Sequence, residues 1–171
     1  MLEHPDGIAA PRFTGIPTFM RAPYAAEIKD IDIAMAGVPY DGGVTNRPGA
    51  RHGPREIRNQ SSFMRGIHHV SNINPFEICR VADVGDVPFM EAHYPDKAML
   101  EIEAFYRKIH ASGALPLSAG GDHSITHPIF RAIATPDTPV GMVHVDAHTD
   151  TWGSWQGNKF NHGAPFRRAV E

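Results

Sequence analysis

Asp146, His148 and Asp150 stand two residues apart in the run Val-His-Val-Asp-Ala-His-Thr-Asp. In an extended chain that spacing turns all three side chains to one side. Two carboxylates and an imidazole gathered this way are costly to desolvate unless a positive charge offsets them. A divalent cation is the simplest such charge. A second stretch, Gly120-Gly121-Asp122-His123-Ser124, adds an imidazole behind paired glycines that permit a tight backbone path into a cleft. His123, Asp146, His148 and Asp150 together form a mixed imidazole and carboxylate donor set with no thiolate. Mn(II) suits that set, with Zn(II) or Fe(II) as alternatives. Four such donors serve one ion, or half-fill a two-ion site. His144 shares the parity of Asp146 but lies a step back toward the preceding strand, and is expected to be a hydrogen-bonded interior histidine. Asp122 is expected to cap or orient its neighbours.

The elements that must position these residues alternate along the chain. Residues 1–29 are rich in Pro and Gly without a clear period and form an irregular arm, with Phe13, Phe19 and Met20 as its anchors. Residues 30–171 form a single unit. A first strand spans 30–38, and a loop dense in glycine and proline follows from Pro39 to Gly53. Pro54 suits the first turn of a helix. A second strand is expected over 79–84, and helical spacing runs from Tyr94 to His110 with Met99, Ile102, Tyr106 and Ile109 on one stripe. A third strand, 114–118, leads into Gly120-Gly121, and a helix follows from Thr126 to Ala134. Val140, Met142, Val143 and Val145 then read as a buried strand delivering Asp146. A final helix begins near His162. Strands alternating with helices argue for an α/β fold, a parallel sheet with helices on both faces. Such sheets bind ligands beyond the carboxyl ends of their strands, where both histidine-bearing stretches fall.

Composition excludes several classes. The 171 residues are 42% hydrophobic and 20% charged, the balance of an ordinary globular protein. A formal net charge of -3 gives no basis for nucleic-acid or acidic-membrane binding. No apolar run is long enough to cross a bilayer, and the first residues lack the pattern of a secretory signal, so a cytoplasmic location is the expectation. Cys79 is the only cysteine, which rules out an internal disulfide, and its apolar neighbours suggest a small buried hydrophobe.

The two histidine-bearing stretches resemble signature motifs of the ureohydrolases, the arginase and agmatinase superfamily. The run Gly49-Ala50-Arg51-His52-Gly53-Pro54-Arg55-Glu56-Ile57-Arg58 is similar to an early motif of that family. Asp83-Val84-Gly85-Asp86 and Asn161-His162-Gly163 are similar to two more. The matches occur in the family's order from Asp30 onward. The resemblance implies an arginase-like α/β/α fold and Mn-dependent hydrolysis of a guanidino compound to urea and an amine. It implies two Mn(II) ions, with His123 and Asp150 on one, His148 on the other and Asp146 bridging them. A water between the two ions would be the nucleophile, and His162 would pass a proton to the departing amine. Homo-oligomerisation also follows only from the resemblance, with no nucleic-acid or membrane partner.

Arginases follow the second motif with Ile-Asn, where the asparagine helps hold the substrate's α-carboxylate. This chain has Thr151-Trp152 there, and the segment Pro11 to Phe19 resembles the agmatinase branch. An apolar ring at Trp152 suits a substrate tail without an α-carboxylate. Agmatine, giving putrescine and urea, is therefore expected, with guanidinobutyrate and guanidinopropionate as alternative substrates. The family also carries a downstream motif, Ser-x-Asp-x-Asp-x-x-Asp-Pro, which completes the metal shell and is not found before Glu171. The sequence is thus expected to be the amino-terminal portion of such a fold, or else a non-catalytic truncated homologue that binds partners.

Overall fold

A computed structural model describes residues 11–171; the first ten residues of the arm lie outside the described residues. Three parallel strands form the sheet: β1 (Ile33–Val38), β2 (Val81–Asp86) and β3 (Leu115–Gly120), in the order β2-β1-β3. The helices are α1 (Gly53–Ser61), α2 (Pro75–Ile78), α3 (Pro95–Ala111), α4 (Thr126–Ile133) and α5 (Pro165–Val170). β1 is central and almost wholly apolar because a parallel strand with two neighbours is covered on both faces. Its side chains alternate accordingly. Ala34, Ala36 and Val38 face Ala98, Met99, Ile102, Tyr106 and Ile109 in the larger core cluster, which also takes in Ile125 and Ala132 at α4. Met35 and Ile33 face the other way, toward Phe19, Ala22 and Val81, with Phe76 of α2 packed alongside.

The stripe predicted on α3 is the one buried, and Tyr106 closes it by donating its hydroxyl to Ser118 Oγ at 2.7 Å. Burial pushes the Tyr106 phenol up to about 12. Among the described residues, no helix is long and apolar enough to cross a membrane.

Arg58 on α1 holds the arm to the sheet. Its Nε donates to Asp83 Oδ2 at 2.8 Å, its Nη2 to Asp83 Oδ1 at 3.0 Å and its Nη1 to Asp86 Oδ1 at 2.6 Å. Asp83, only 1% exposed, also accepts the backbone N–H groups of Phe19 and Gly85. The guanidinium lies 4.1 Å from the centre of the Phe19 ring. Phe19 is a buried anchor as expected, but Phe13 is 86% exposed and anchors nothing. The arm is also less irregular than its composition suggests. Phe19–Arg21 form a short turn of helix, and Tyr24 makes a parallel bridge to Asp83.

One expected element is absent. Residues 140–145 form no strand, and Val143 and Val145 are 92% and 93% exposed. Alternation and β-branching report a preference for burial, whereas a strand exists only through a hydrogen-bonded neighbour. Among the described residues no strand pairs with this segment, and β3 is likewise an edge, with Leu115 and Leu117 more than half exposed. Smaller differences follow from tertiary pairing. β3 runs on through Ala119 and Gly120 because Ala119 and Gly120 pair with Gly37 and Val38. The four-residue α2, capped by the Asn74 side chain, is too short to give a period.

Candidate metal centre

The site forms where β3 ends. Gly121 has φ +92, and a Cβ there would stand 2.8 Å from the Tyr40 carbonyl oxygen, so the turn requires glycine. Asp122 follows as the cap of a short helical turn, His123–Ile125, accepting Ser124 N–H at 2.7 Å. Its other oxygen accepts Gly43 N–H at 2.7 Å, which ties the long glycine-rich loop to the turn that carries His123. Burial raises the Asp122 carboxyl above its ordinary value, opposed by these hydrogen bonds. The expected capping role is therefore the one observed. Asp41 organises the same loop from its other end, accepting Gly49 N–H and the Arg51 side chain. The Arg51 hydrogen bond holds its carboxyl below the usual range.

His123, His144, Asp146 and Asp150 converge, with one donor atom from each lying within 4.8 Å of the others. His123 Nδ1 contacts Asp150 Oδ2 and lies 3.7 Å from Asp146 Oδ2. His144 Nε2 is 3.5 Å from the same Asp146 oxygen. The Asp146 carboxyl is held below its ordinary value by the backbone N–H of His148, which donates to Oδ1 at 2.9 Å, with the His144 ring assisting. Phe166, at the start of α5, walls one side. Its ring meets His144 edge-on at 4.5 Å and His123 at 5.4 Å, and its N–H donates to the Asp150 carbonyl at 3.2 Å. Asp150 itself sits at φ +50, a conformation that aspartate tolerates better than most residues.

Of the four donors expected from the sequence, His123, Asp146 and Asp150 are brought together. His148 is not. Its side chain is 78% exposed, and its Nδ1 lies 3.7 Å from Asp146 Oδ1. The reason is local. By accepting the His148 N–H, Asp146 closes a turn on its own backbone, which breaks the extended geometry that the two-residue spacing presumes. His144 takes a place in the cluster instead of a hydrogen-bonded interior position, and its buried Nε2 has no hydrogen-bond partner. The run 144, 146, 148, 150 carried that signal in its parity, but only the turn decides which histidine faces inward.

His162 is held apart from these four. Its backbone N–H donates to the Gly43 carbonyl at 2.9 Å, and its ring Nδ1 lies 3.1 Å from the same oxygen. A carbonyl can only accept, so in this contact Nδ1 is the donor, and Nε2 is the nitrogen that faces away from Gly43. Asn161 is the residue that composition alone does not reveal. Only 2% exposed, it donates to the carbonyls of Gly153 and Asn158 and accepts Gly163 N–H, stapling the loop on which His162 and Trp152 sit. Trp152 donates its backbone N–H to Gly163 O at 2.8 Å and is 57% exposed, its ring near that of Trp155.

The donor chemistry fits a divalent ion. Two carboxylates offset its charge, and the buried His144 Nε2 makes no hydrogen bond, with Asp146 Oδ2 3.5 Å away.

Comparison with known proteins gives the same direction. The family model described as the arginase family matches residues 31–171. The chain is 53% identical to guanidinopropionase of Pseudomonas aeruginosa over 99% of its own length and 54% of that protein. It is 47% identical to the mitochondrial agmatinase of Gallus gallus, over 94% of this chain and 47% of that one. Among solved structures, proclavaminate amidino hydrolase of Streptomyces clavuligerus superposes with a TM-score of 0.86 at 35% identity, covering 94% of this chain and 54% of that one. Trypanosoma cruzi formiminoglutamase with Mn(II) superposes with a TM-score of 0.76 at 27% identity, covering 92% and 53%. The chain spans about half the length of the curated relatives it matches.

Proposed function

The chain belongs to the arginase family, and from that premise we propose that it carries the amino-terminal part of a Mn-dependent site that hydrolyses a guanidino compound to urea and an amine. The observation that carries the reading is the convergence of His123, Asp146 and Asp150 where β3 ends, in a chain that keeps the family's motifs in order. These three residues would hold the ion. When bound, it supplies a Lewis acid and lowers the pKa of a water. The carboxylates of Asp146 and Asp150 also attract the cationic guanidinium group. His162, with its proton on Nδ1 directed to Gly43, has Nε2 free to take a proton and deliver it to the departing amine nitrogen. Atoms balance in the overall reaction: water adds across the guanidino carbon, the C–N bond to the tail breaks, and urea and the amine leave.

The exposed ring of Trp152 supports a tail without an amino-acid head, and agmatine is the reading it suits. A guanidino acid is the second reading, favoured by the 53% identity to guanidinopropionase. Urea release separates them. The Mn(II)-loaded 171-residue chain is assayed with agmatine, 3-guanidinopropionate, 4-guanidinobutyrate and arginine. A chimera extended by the carboxyl-terminal half of the Pseudomonas guanidinopropionase is assayed in parallel. Highest kcat/KM for agmatine supports the first reading and highest kcat/KM for a guanidino acid the second, with arginine poorer by at least tenfold in either case. No urea from any of them in either protein refutes the reading, and arginine as the best substrate refutes the role of Trp152.

A further inference from the structure

We propose that Asp122 is a positioning residue for His162: acting through Gly43, it keeps the His162 ring proton on Nδ1 and so leaves Nε2 to take up a proton. This rests on the role given to His162 above and adds the group that sets its tautomer. Gly43 is buried and links the two residues. Its N–H donates to Asp122 Oδ2 at 2.7 Å. Its carbonyl accepts twice from His162, from the backbone N–H at 2.9 Å and from ring Nδ1 at 3.1 Å. A carbonyl oxygen has two lone pairs, and these contacts use both. One oxygen thus fixes where the His162 backbone lies and which ring nitrogen donates. Asp122 is itself held firmly. It is 6% exposed, its Oδ1 accepts Ser124 N–H at 2.7 Å, and its own N–H donates to the Tyr40 carbonyl at 2.9 Å. The approach is close enough to demand glycine at position 43. A Cβ there would stand 2.8 Å from Asp122 Oδ1 and 2.9 Å from the Phe160 carbonyl oxygen. Gly43 is therefore gripped between the turn that follows β3 and the loop that carries His162.

In water a neutral histidine side chain favours the proton on Nε2. Inside a protein the tautomer is set by the hydrogen bond that the other nitrogen makes, and a fixed carbonyl against Nδ1 reverses the preference. The distinction matters for catalysis, because only the Nε2 lone pair can receive a proton at that atom. Asp41 organises the same loop, yet its carboxylate is spent on Gly49 and Arg51 and does not hold Gly43. It therefore serves as a control for a general loosening of the loop.

The test uses the 171-residue chain with nitrogen-15 in its histidines. Long-range proton–nitrogen NMR spectra at about pH 8.5, above the ordinary imidazole pKa of about 6.5, report each ring's tautomer, and His162→Gln identifies the His162 signals. The expected wild-type result is a proton on Nδ1. Asp122→Asn keeps the size of the side chain but can accept only one of the two N–H groups. It should move the tautomer ratio of His162 at least about fivefold toward Nε2–H. Gly43→Ala forces Asp122 and Phe160 away and should do the same, and it replaces Asp122→Asn if that chain does not fold. Asp41→Asn should keep the wild-type tautomer. A wild-type proton on Nε2, an unchanged ratio in the folded Asp122→Asn chain or its replacement, or an equal shift in Asp41→Asn would each overturn the assignment of Asp122. The spectra need neither metal nor substrate. Absence of urea release would thus overturn the hydrolytic reading and leave the link from Asp122 to His162 standing.

Discussion

Replacing Arg58 with alanine should unfold more of the molecule than any surface substitution. Arg58 is 12% exposed at its side chain and Asp83 only 1%, so the pair is buried and its partners are specified on both sides. Removing one member of a buried ion pair costs about 3–5 kcal/mol, chiefly through the charge left behind. Here Asp83 keeps the Phe19 and Gly85 N–H groups, which lowers that figure. The bond to the half-exposed Asp86 adds little, and the lost contact with the Phe19 ring adds roughly 0.5–1 kcal/mol. The net expectation is a loss of about 3 kcal/mol. With a urea m-value of about 2 kcal/mol/M, that moves the unfolding midpoint down by roughly 1.5 M. Equilibrium urea unfolding followed by far-UV circular dichroism measures the shift. A cycle with Asp83→Asn and the double variant should return a coupling of roughly 2 kcal/mol, because the two side chains are in direct contact. Hydrogen exchange at the Phe19 amide should also quicken, since the arm is held through Asp83. A loss below about 0.5 kcal/mol would place Arg58 with ordinary exposed pairs and refute the reasoning.

Three further outcomes test other parts of the account. His127 is buried against Phe160, and burial brings its pKa down from 6.5 to about 4. Between these values the unfolded chain binds a proton that the folded chain refuses, so its contribution is complete above about pH 6.5 and is lost as pH falls toward 4. The amount is on the order of 3 kcal/mol at most, and His127→Phe should flatten the pH dependence of the urea midpoint in that window; an unchanged slope refutes it. Gly121→Ala forces a Cβ toward the Tyr40 carbonyl at φ +92 and should cost at least about 2 kcal/mol, read as a lowered thermal midpoint; an unchanged midpoint contradicts the turn's need for glycine. On α3, Ile102→Ala should cost about 2–5 kcal/mol, whereas Leu100→Ala, 58% exposed, should stay within about 0.5 kcal/mol; similar losses at both sites would mean that the helix face is wrongly assigned.

The legible parts of this fold are those in which a local pattern and the tertiary environment agree. Met99, Ile102, Tyr106 and Ile109 repeat at helical spacing and are the residues that α3 buries. Ile33 to Val38 is apolar throughout because β1 is covered on both faces. The family motifs were legible too, since Asp122, His123 and the glycines before them have roles fixed within a few residues. What the sequence did not disclose depends on partners distant in the chain or on a single hydrogen bond. Val140 to Val145 have the composition of a strand without a ladder to join. The choice between His144 and His148 turns on whether the Asp146 carboxylate accepts the His148 amide, which spacing does not reveal. Asn161 stands in a family motif, but its work as a staple rests on contacts with Gly153, Asn158 and Gly163 that the motif does not disclose.

The central position of β1 has a consequence for how the molecule is made. Ile33 pairs with Val81 on one side and with Leu115 on the other, both far downstream. During synthesis, at roughly 5–20 residues per second, the most apolar strand emerges first and waits on the order of seconds for either neighbour. Over that interval its ladder partners on both sides, and the α3 residues that cover its Ala34, Ala36 and Val38 face, are still to come. Folding is thus dominated by contacts between distant residues, the slow regime for a small sheet. The nascent chain is most vulnerable to mispairing and to chaperone capture between the emergence of Val38 and that of Gly120, and ribosome profiling of chaperone engagement would find its maximum there.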